Sequence, residues 1–167
     1  TATIRLGAHT PSLDAETDVD RWASDPALVH NLSLEDIQNA TATLTGPLEQ
    51  RPPMFSAKKV DGVKAYDAAR KGATIKLRTS SVTVDIFRVE ELRSLDVESH
   101  PVIDVDVTIH CSKGTYIRSL ARDLGDALDV GGTLTALCRV SSGDFHVDHA
   151  WKVEDLVAQF NRDHATS

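Results

Sequence analysis

A cation, a phenol and a guanidinium fall within six residues at Lys113, Tyr116 and Arg118, in the string HCSKGTYIRSLARDLG from His110 to Gly125. Basic side chains beside a helix start favour an anion, because the first N–H groups of a helix lack partners and its dipole is positive there. A tyrosine at the same place offers an apolar ring and a hydroxyl to line a cleft. The elements that must hold these groups lie on either side. Pro101 to Cys111 alternates, with Ile103, Val105, Val107 and Ile109 on one face and Asp104, Asp106, Thr108 and His110 on the other. That is the period of a half-buried strand. From Thr115 the period becomes helical, through Tyr116, Leu120, Leu124 and Leu128. Gly114 lets the chain turn sharply, and Thr115 is the expected N-cap, which sets Tyr116 one residue inside the helix.

A second string, EQRPPMFSAKKVDGVKAYDAARKG from Glu49 to Gly72, has a different character. Pro52 and Pro53 favour an extended path, and Asp61-Gly62 signals a turn. Val63 to Lys71 is expected to form a short helix with Gly72 as its C-cap. The chain as a whole carries net charge −7. Residues 51 to 78 hold eight basic and two acidic residues, a net +6, while the remainder holds ten basic and 23 acidic, a net −13. A local basic segment can still bind phosphate, because the field at a ligand depends on nearby charge more than on the total.

Both strings resemble the motifs of TruB-type pseudouridine synthases, which isomerise a uridine in the T-arm of tRNA. The resemblance implies that Tyr116 lines the uridine pocket and that Arg118 pairs with the catalytic aspartate. It also implies that residues 51–78 are a mobile thumb closing on the T-loop. The +6 charge of that window makes Lys58, Lys59 and Lys64 candidate substrate-binding cations, and the helix start makes Lys113 another. Phe55 stands where many members have tyrosine. The segment LGAHTPSLDAE, from Leu6 to Glu16, is similar to the family's Leu-Gly-x-x-Thr-x-Thr-x-Asp. That makes Asp14 a carboxylate near the active site, against the alternative of a turn aspartate bonded to local N–H groups. The segment GGTLTALCRVSSGDF, from Gly131 to Phe145, is similar to the family's strand after the motif helix. There Leu137 matches an apolar residue that packs near the target base, Arg139 matches one arginine of a Leu-Arg-Arg, and Cys138 replaces the other.

Isomerising uridine requires breaking the C1′–N1 bond, turning the freed uracil and joining C5 to the sugar, after the nucleotide has left its stack. A carboxylate does this work, and an adjacent guanidinium grips it with parallel bonds. In the family that carboxylate belongs to a Gly-x-Leu-Asp-Pro-type motif, which this sequence does not contain. Asp104, Asp106 and Asp123 fit structural or solvated roles better. The chain opens without methionine, and Thr1 to Gly7 already alternates like mid-strand, so it is read as a fragment of the catalytic domain, inactive alone. The alternatives are a guide-RNA-dependent synthase of the dyskerin type and a non-catalytic RNA-binding protein.

With 167 residues the chain is long enough for one domain with a core. The division expected is 1–150 as part of the catalytic domain, and 151–167 as a terminal helix and the start of a linker. No apolar run approaches the ~20 residues that span a bilayer. Cys111 and Cys138 lack metal-type spacing and make no disulfide framework, which points to a reducing cytosol. His146 and His149 form a lone His-x-x-His, read as surface or turn, and no metal is expected. Ser33 with Asp36 opens a helix whose Leu34, Ile37, Ala40 and Leu44 share a face, and Gly46-Pro47 stops it. Ser81 to Leu95 reads as one long or two short strands. Val153 to Phe160 reads as a last helix, with Trp151 packed before it. The order of elements gives an α+β class with a largely antiparallel sheet. The resemblance implies the pseudouridine synthase fold, a mixed sheet flanked by helices around an RNA-binding cleft, here incomplete at the N-terminus. The reaction is redox-neutral and implies no cofactor. The expected partner is tRNA, with neither a membrane nor an obligate protein partner.

Overall fold

The computed structural model describes residues 1–54, 59–60, 63–64 and 78–164. In chain order its elements are β1 (Ala2–Leu6), β2 (Ala8–His9), β3 (Arg21–Trp22), α1 (Pro26–Asn31), α2 (Leu34–Thr43), β4 (Gly46–Gln50), β5 (Lys59–Val60) and β6 (Val63–Lys64). They continue with β7 (Ser80–Val97), β8 (His100–Cys111), α3 (Ile117–Ala127), β9 (Gly132–Leu137), β10 (Ser141–Ser142), β11 (Phe145–His146) and α4 (Val153–His164). Five strands form one sheet in the order β4-β7-β8-β1-β9, each pair antiparallel.

Alternation in β1 and β8 builds this sheet. In register, Ile4 faces Val105 and Ala2 faces Val107, while Arg5 faces Asp104 and Thr3 faces Asp106. Ile4, Leu6, Val105 and Val107 share one core with Leu120 and Leu124 of α3, Ile37 of α2 and Val29 of α1. Each such side chain contributes about 1.5–3 kcal/mol through removal from water. The opposite face is tied by charge. Arg5 grips Asp104 with two bonds of 2.8 Å. Asp106 accepts from Thr3 and from two Arg93 nitrogens. The Arg93 bonds, helped by Thr3, hold the Asp106 carboxyl down at about 2.

Two glycines let α3 lie directly on β9. A Cβ on Gly132 would stand 2.2 Å from the Ala121 carbonyl oxygen, and one on Gly125 would stand 2.1 Å from the Gly131 carbonyl carbon. Backbone therefore meets backbone, which fixes the helix against the sheet edge.

The capping box of α2 is present, with Ser33 and Asp36 bonding each other's backbone. Ile37 and Ala40 are buried as the pattern implies, but Leu34, at the first position of the helix, is 47% exposed. Gly46-Pro47 does not merely stop a helix: it begins edge strand β4. Ser81 to Leu95 lies within one 18-residue strand. Val63–Lys64 pairs with Lys59–Val60, so the helix expected from Val63 does not begin there. The short-range pairing of β5 with β6 has displaced it. The rest of that expected helix lies outside the described residues.

Residues Cys138–Ser167 form a separate compact unit from Thr1–Leu137. It contains the β10–β11 hairpin, a 3-10 turn at Val147–His149, and α4. Trp151 is 63% exposed rather than packed ahead of the helix, because so small a unit encloses no core of its own. No described helix is long and apolar enough to cross a membrane.

Candidate active site at the start of helix α3

The turn between β8 and α3 is pinned at its base. Ser112 donates its N–H to the Thr83 carbonyl at 2.8 Å, and its hydroxyl accepts from the Thr83 N–H at 2.9 Å. Gly114 takes φ +84°, which its lack of a Cβ permits. Thr115 is not the N-cap. Its hydroxyl is directed back to the Ser112 carbonyl at 2.9 Å, so the helix starts one residue later, with Tyr116 in the cap position and no side-chain cap bond. Tyr116 thus stands at the helix entrance rather than inside it.

Its backbone is nevertheless satisfied. The buried Gln50 side chain accepts from the Tyr116 N–H at 2.7 Å and donates to the Tyr116 carbonyl at 3.1 Å. One residue on, the Arg51 carbonyl accepts from the Ser119 hydroxyl at 2.9 Å and from Arg122 at 3.1 Å. Arg122 is itself held by Asp123, whose carboxyl is pushed up by burial.

Arg118, in the first turn of α3, reaches the loop after β2. Its Nη1 donates to Asp14 Oδ2 at 3.0 Å and to the Ser12 carbonyl at 3.1 Å. The other Asp14 oxygen accepts from the Glu16 N–H at 3.0 Å. Asp14 is therefore both a turn aspartate and the ion partner of Arg118. Its loop is rigidly made. Thr10 bonds the Asp14 carbonyl and Thr133, Leu134 donates its N–H to the Leu13 carbonyl, and Ser12 bonds Thr17. Leu13 takes φ +63° while 5% exposed. That backbone region costs a leucine on the order of 1 kcal/mol and persists only where the surroundings impose it. Asp14 and Arg118 remain 27% and 23% exposed, so a ligand can reach the pair.

The other expected residues lie in other places. Lys113 is exposed in the turn and lines an open groove with Glu49, Ser81, Thr83 and Ser112. Leu137 ends edge strand β9 opposite Ala2 and is 57% exposed. Lys58 and the side chains of Lys59 and Lys64 lie outside the described residues. Gln50, Ser119 and Arg122 were not apparent from sequence: none belongs to a motif of titratable or nucleophilic spacing, and only the two neighbouring prolines marked the place.

Comparison with known proteins gives the family and the fold. A family model described as TruB family pseudouridylate synthase (N terminal domain) matches residues 1–117. One described as tRNA pseudouridylate synthase B C-terminal domain matches residues 118–167. The chain is 45% identical over 156 residues to a tRNA pseudouridine synthase B of Mycobacterium leprae (strain TN), covering 93% of this chain and 48% of that protein. It is 44% identical over 160 residues to a tRNA pseudouridine synthase B of Thermobifida fusca (strain YX), covering 95% and 53%. The chain thus spans about half the length of these curated relatives. The Crystal Structure of a Cbf5-Nop10-Gar1 Complex contains a chain of similar fold, with TM-score 0.53 and 22% identity, covering 95% of this chain and 36% of that one. In its motifs, its fold and its relatives, this chain belongs to the TruB family of pseudouridylate synthases.

Proposed function

We propose that the protein carrying this chain is a tRNA pseudouridine synthase acting on a uridine of the T-arm. The observation that carries the reading is the Arg118–Asp14 pair, accessible at the helix entrance that Tyr116 caps. The names of the relatives support tRNA as the substrate. The flipped uridine stacks beside Tyr116. Arg118 orients the carboxylate that works on the sugar, and Asp14 holds Arg118 so that it loses little freedom when that carboxylate arrives. The C1′–N1 bond breaks, the uracil turns, C5 joins C1′, and the C5 proton leaves to solvent while N1 gains one. Donor groups and electrons balance without a cofactor. The working carboxylate is assigned to a Leu-Asp-Pro-type motif that this chain does not contain, so the chain alone is expected to be inactive. Lys58, Lys59 and Lys64 in the basic window, with Lys113, supply phosphate contacts, and Leu137 packs near the target base.

The test is tritium release from tRNA labelled at C5 of uridine, with the protein extended to the length of its relatives. Release is expected, and it is expected to vanish when the T-arm uridine is replaced by cytidine. No release from the unaltered tRNA contradicts the reading. Replacing Lys58, Lys59 and Lys64 by glutamate is expected to weaken tRNA binding and flatten its salt dependence, since fewer counterions are released.

A further inference from the structure

We propose that Gln50 is a positioning residue for Tyr116: its buried amide sets the backbone at the entrance of α3 and so aims the tyrosine and, two residues on, Arg118. The inference rests on the reading above for its consequence in turnover, but the clamp itself stands on geometry. Gln50 is the last residue of β4 and is 3% exposed. Its Oε1 accepts from the Tyr116 N–H and its Nε2 donates to the Tyr116 carbonyl, so one side chain holds both polar groups of one peptide segment. Two opposed bonds fix rotation as well as distance, as a strand partner does.

Tyr116 needs such a partner. It occupies an N-cap with extended backbone, φ −93° and ψ 107°; its carbonyl accepts from the Ser119 and Leu120 N–H groups, but its side chain makes no cap bond. Serine, threonine or aspartate at that position would fix the helix entrance from within. Tyrosine cannot, and the hydroxyl of its neighbour Thr115 is engaged by Ser112. The entrance is therefore set from outside, by a residue 66 positions away in sequence.

The next residue extends the clamp. The Arg51 carbonyl takes bonds from Ser119, which is fully buried, and from Arg122. Pro52 and Pro53 follow, both fully buried and with restricted φ. Two consecutive residues at the mouth of the basic window thus make four bonds to α3 and its cap, two of them to Tyr116 itself. Gln50 carries no charge and does not titrate near neutrality, so its contribution to turnover is geometric.

Two substitutions separate this from simple stability. Gln50→Met keeps length and apolar volume and removes both bonds. Gln50→Glu keeps the acceptor but faces the Tyr116 carbonyl with a second acceptor until its carboxyl is protonated, when it regains an O–H donor. The charged groups on the elements that meet there are Glu49 and Arg51 on the strand side and Arg118, Arg122, Asp123 and Asp126 on α3. Lys113 lies in the turn, and Arg78 precedes β7. In the chain as it stands, hydrogen exchange at the Tyr116 amide is expected to accelerate in Gln50→Met. In the protein at the length of its relatives, the single-turnover rate with enzyme in excess is expected to fall about 100-fold, the order that ångström-scale misplacement costs. The tRNA dissociation constant is expected to stay within about twofold. For Gln50→Glu, the ratio of its rate to that of the parent is expected to rise as pH falls from about 8 to about 6. A partly unfolded variant would lower the active fraction but not the single-turnover rate constant. An active parent with an unchanged rate in Gln50→Met overturns the proposal, as does a flat ratio for Gln50→Glu. An inactive parent refutes the proposed function instead, and then the Tyr116 amide decides: unchanged exchange in Gln50→Met overturns the clamp.

Discussion

Arg5 meets Asp104 on the polar face of the sheet through two nitrogens and both carboxylate oxygens, whereas Arg118 meets Asp14 through one nitrogen shared with the Ser12 carbonyl. The first pair sits in strand register, and Asp104 is 6% exposed. Asp104 in turn pushes the Arg5 guanidinium up from its ordinary value through that bond. The second pair joins a loop to a helix entrance beside a strained Leu13, at the protein surface. A pair fully matched within a sheet has no geometry to offer a ligand. The second pair is instead partly exposed, with Asp14 at 27% and Arg118 at 23%, and stands beside a backbone strain that the fold imposes.

The contrast can be tested at several strengths. The largest expected effect is structural. Gly132→Ala must push α3 off β9 and should cost about 3 kcal/mol in denaturant unfolding, abolishing order at both the site and the sheet edge. Asp104→Ala leaves Arg5 without its ion partner and should cost about 2–3 kcal/mol, with the turnover of folded molecules unchanged. Asp14→Asn should show the reverse pattern, a stability change within about 1 kcal/mol and turnover lowered about tenfold, read by urea midpoint and single-turnover rate.

The smallest effect belongs to Asp106. Its folded value of about 2 lies below the ordinary 3.8, so it adds stability above about pH 4 that disappears as pH falls towards 2. Because the side chain is about a third exposed, the contribution should stay under about 1 kcal/mol. Asp106→Asn should remove that part of the acid limb and leave stability at neutral pH lower by the same amount.

Local pattern carried much of the fold. The alternation of β8, the helical face of α3 and the Ser33–Asp36 capping box all depend on residues within a turn or two of one another. What escaped was decided at a distance or in competition. Helix α1 has six residues, too few for a period to show. Thr115 looks like a cap until Ser112 competes for its hydroxyl. Strand β4 is defined by pairing with β7, so Gly46-Pro47 read only as a helix stop. At the site, Tyr116 and Arg118 were marked by type and spacing. The Asp14 partnership spans 104 positions, and the Gln50 clamp uses a neutral amide that no titratable motif would mark.

The most direct test of the account compares Arg118→Lys with Arg5→Lys in the protein at the length of its relatives, by single-turnover tritium release from C5-labelled tRNA. Lysine keeps each charge and loses the planar fork. Arg118→Lys is predicted to lower the rate by at least about 100-fold, with tRNA affinity nearly unchanged, while Arg5→Lys leaves the rate of folded protein within about twofold. If affinity collapsed and the rate did not, Arg118 would be a phosphate contact. If both variants kept the parental rate, the two pairs would be equivalent and the assignment of the site would be wrong.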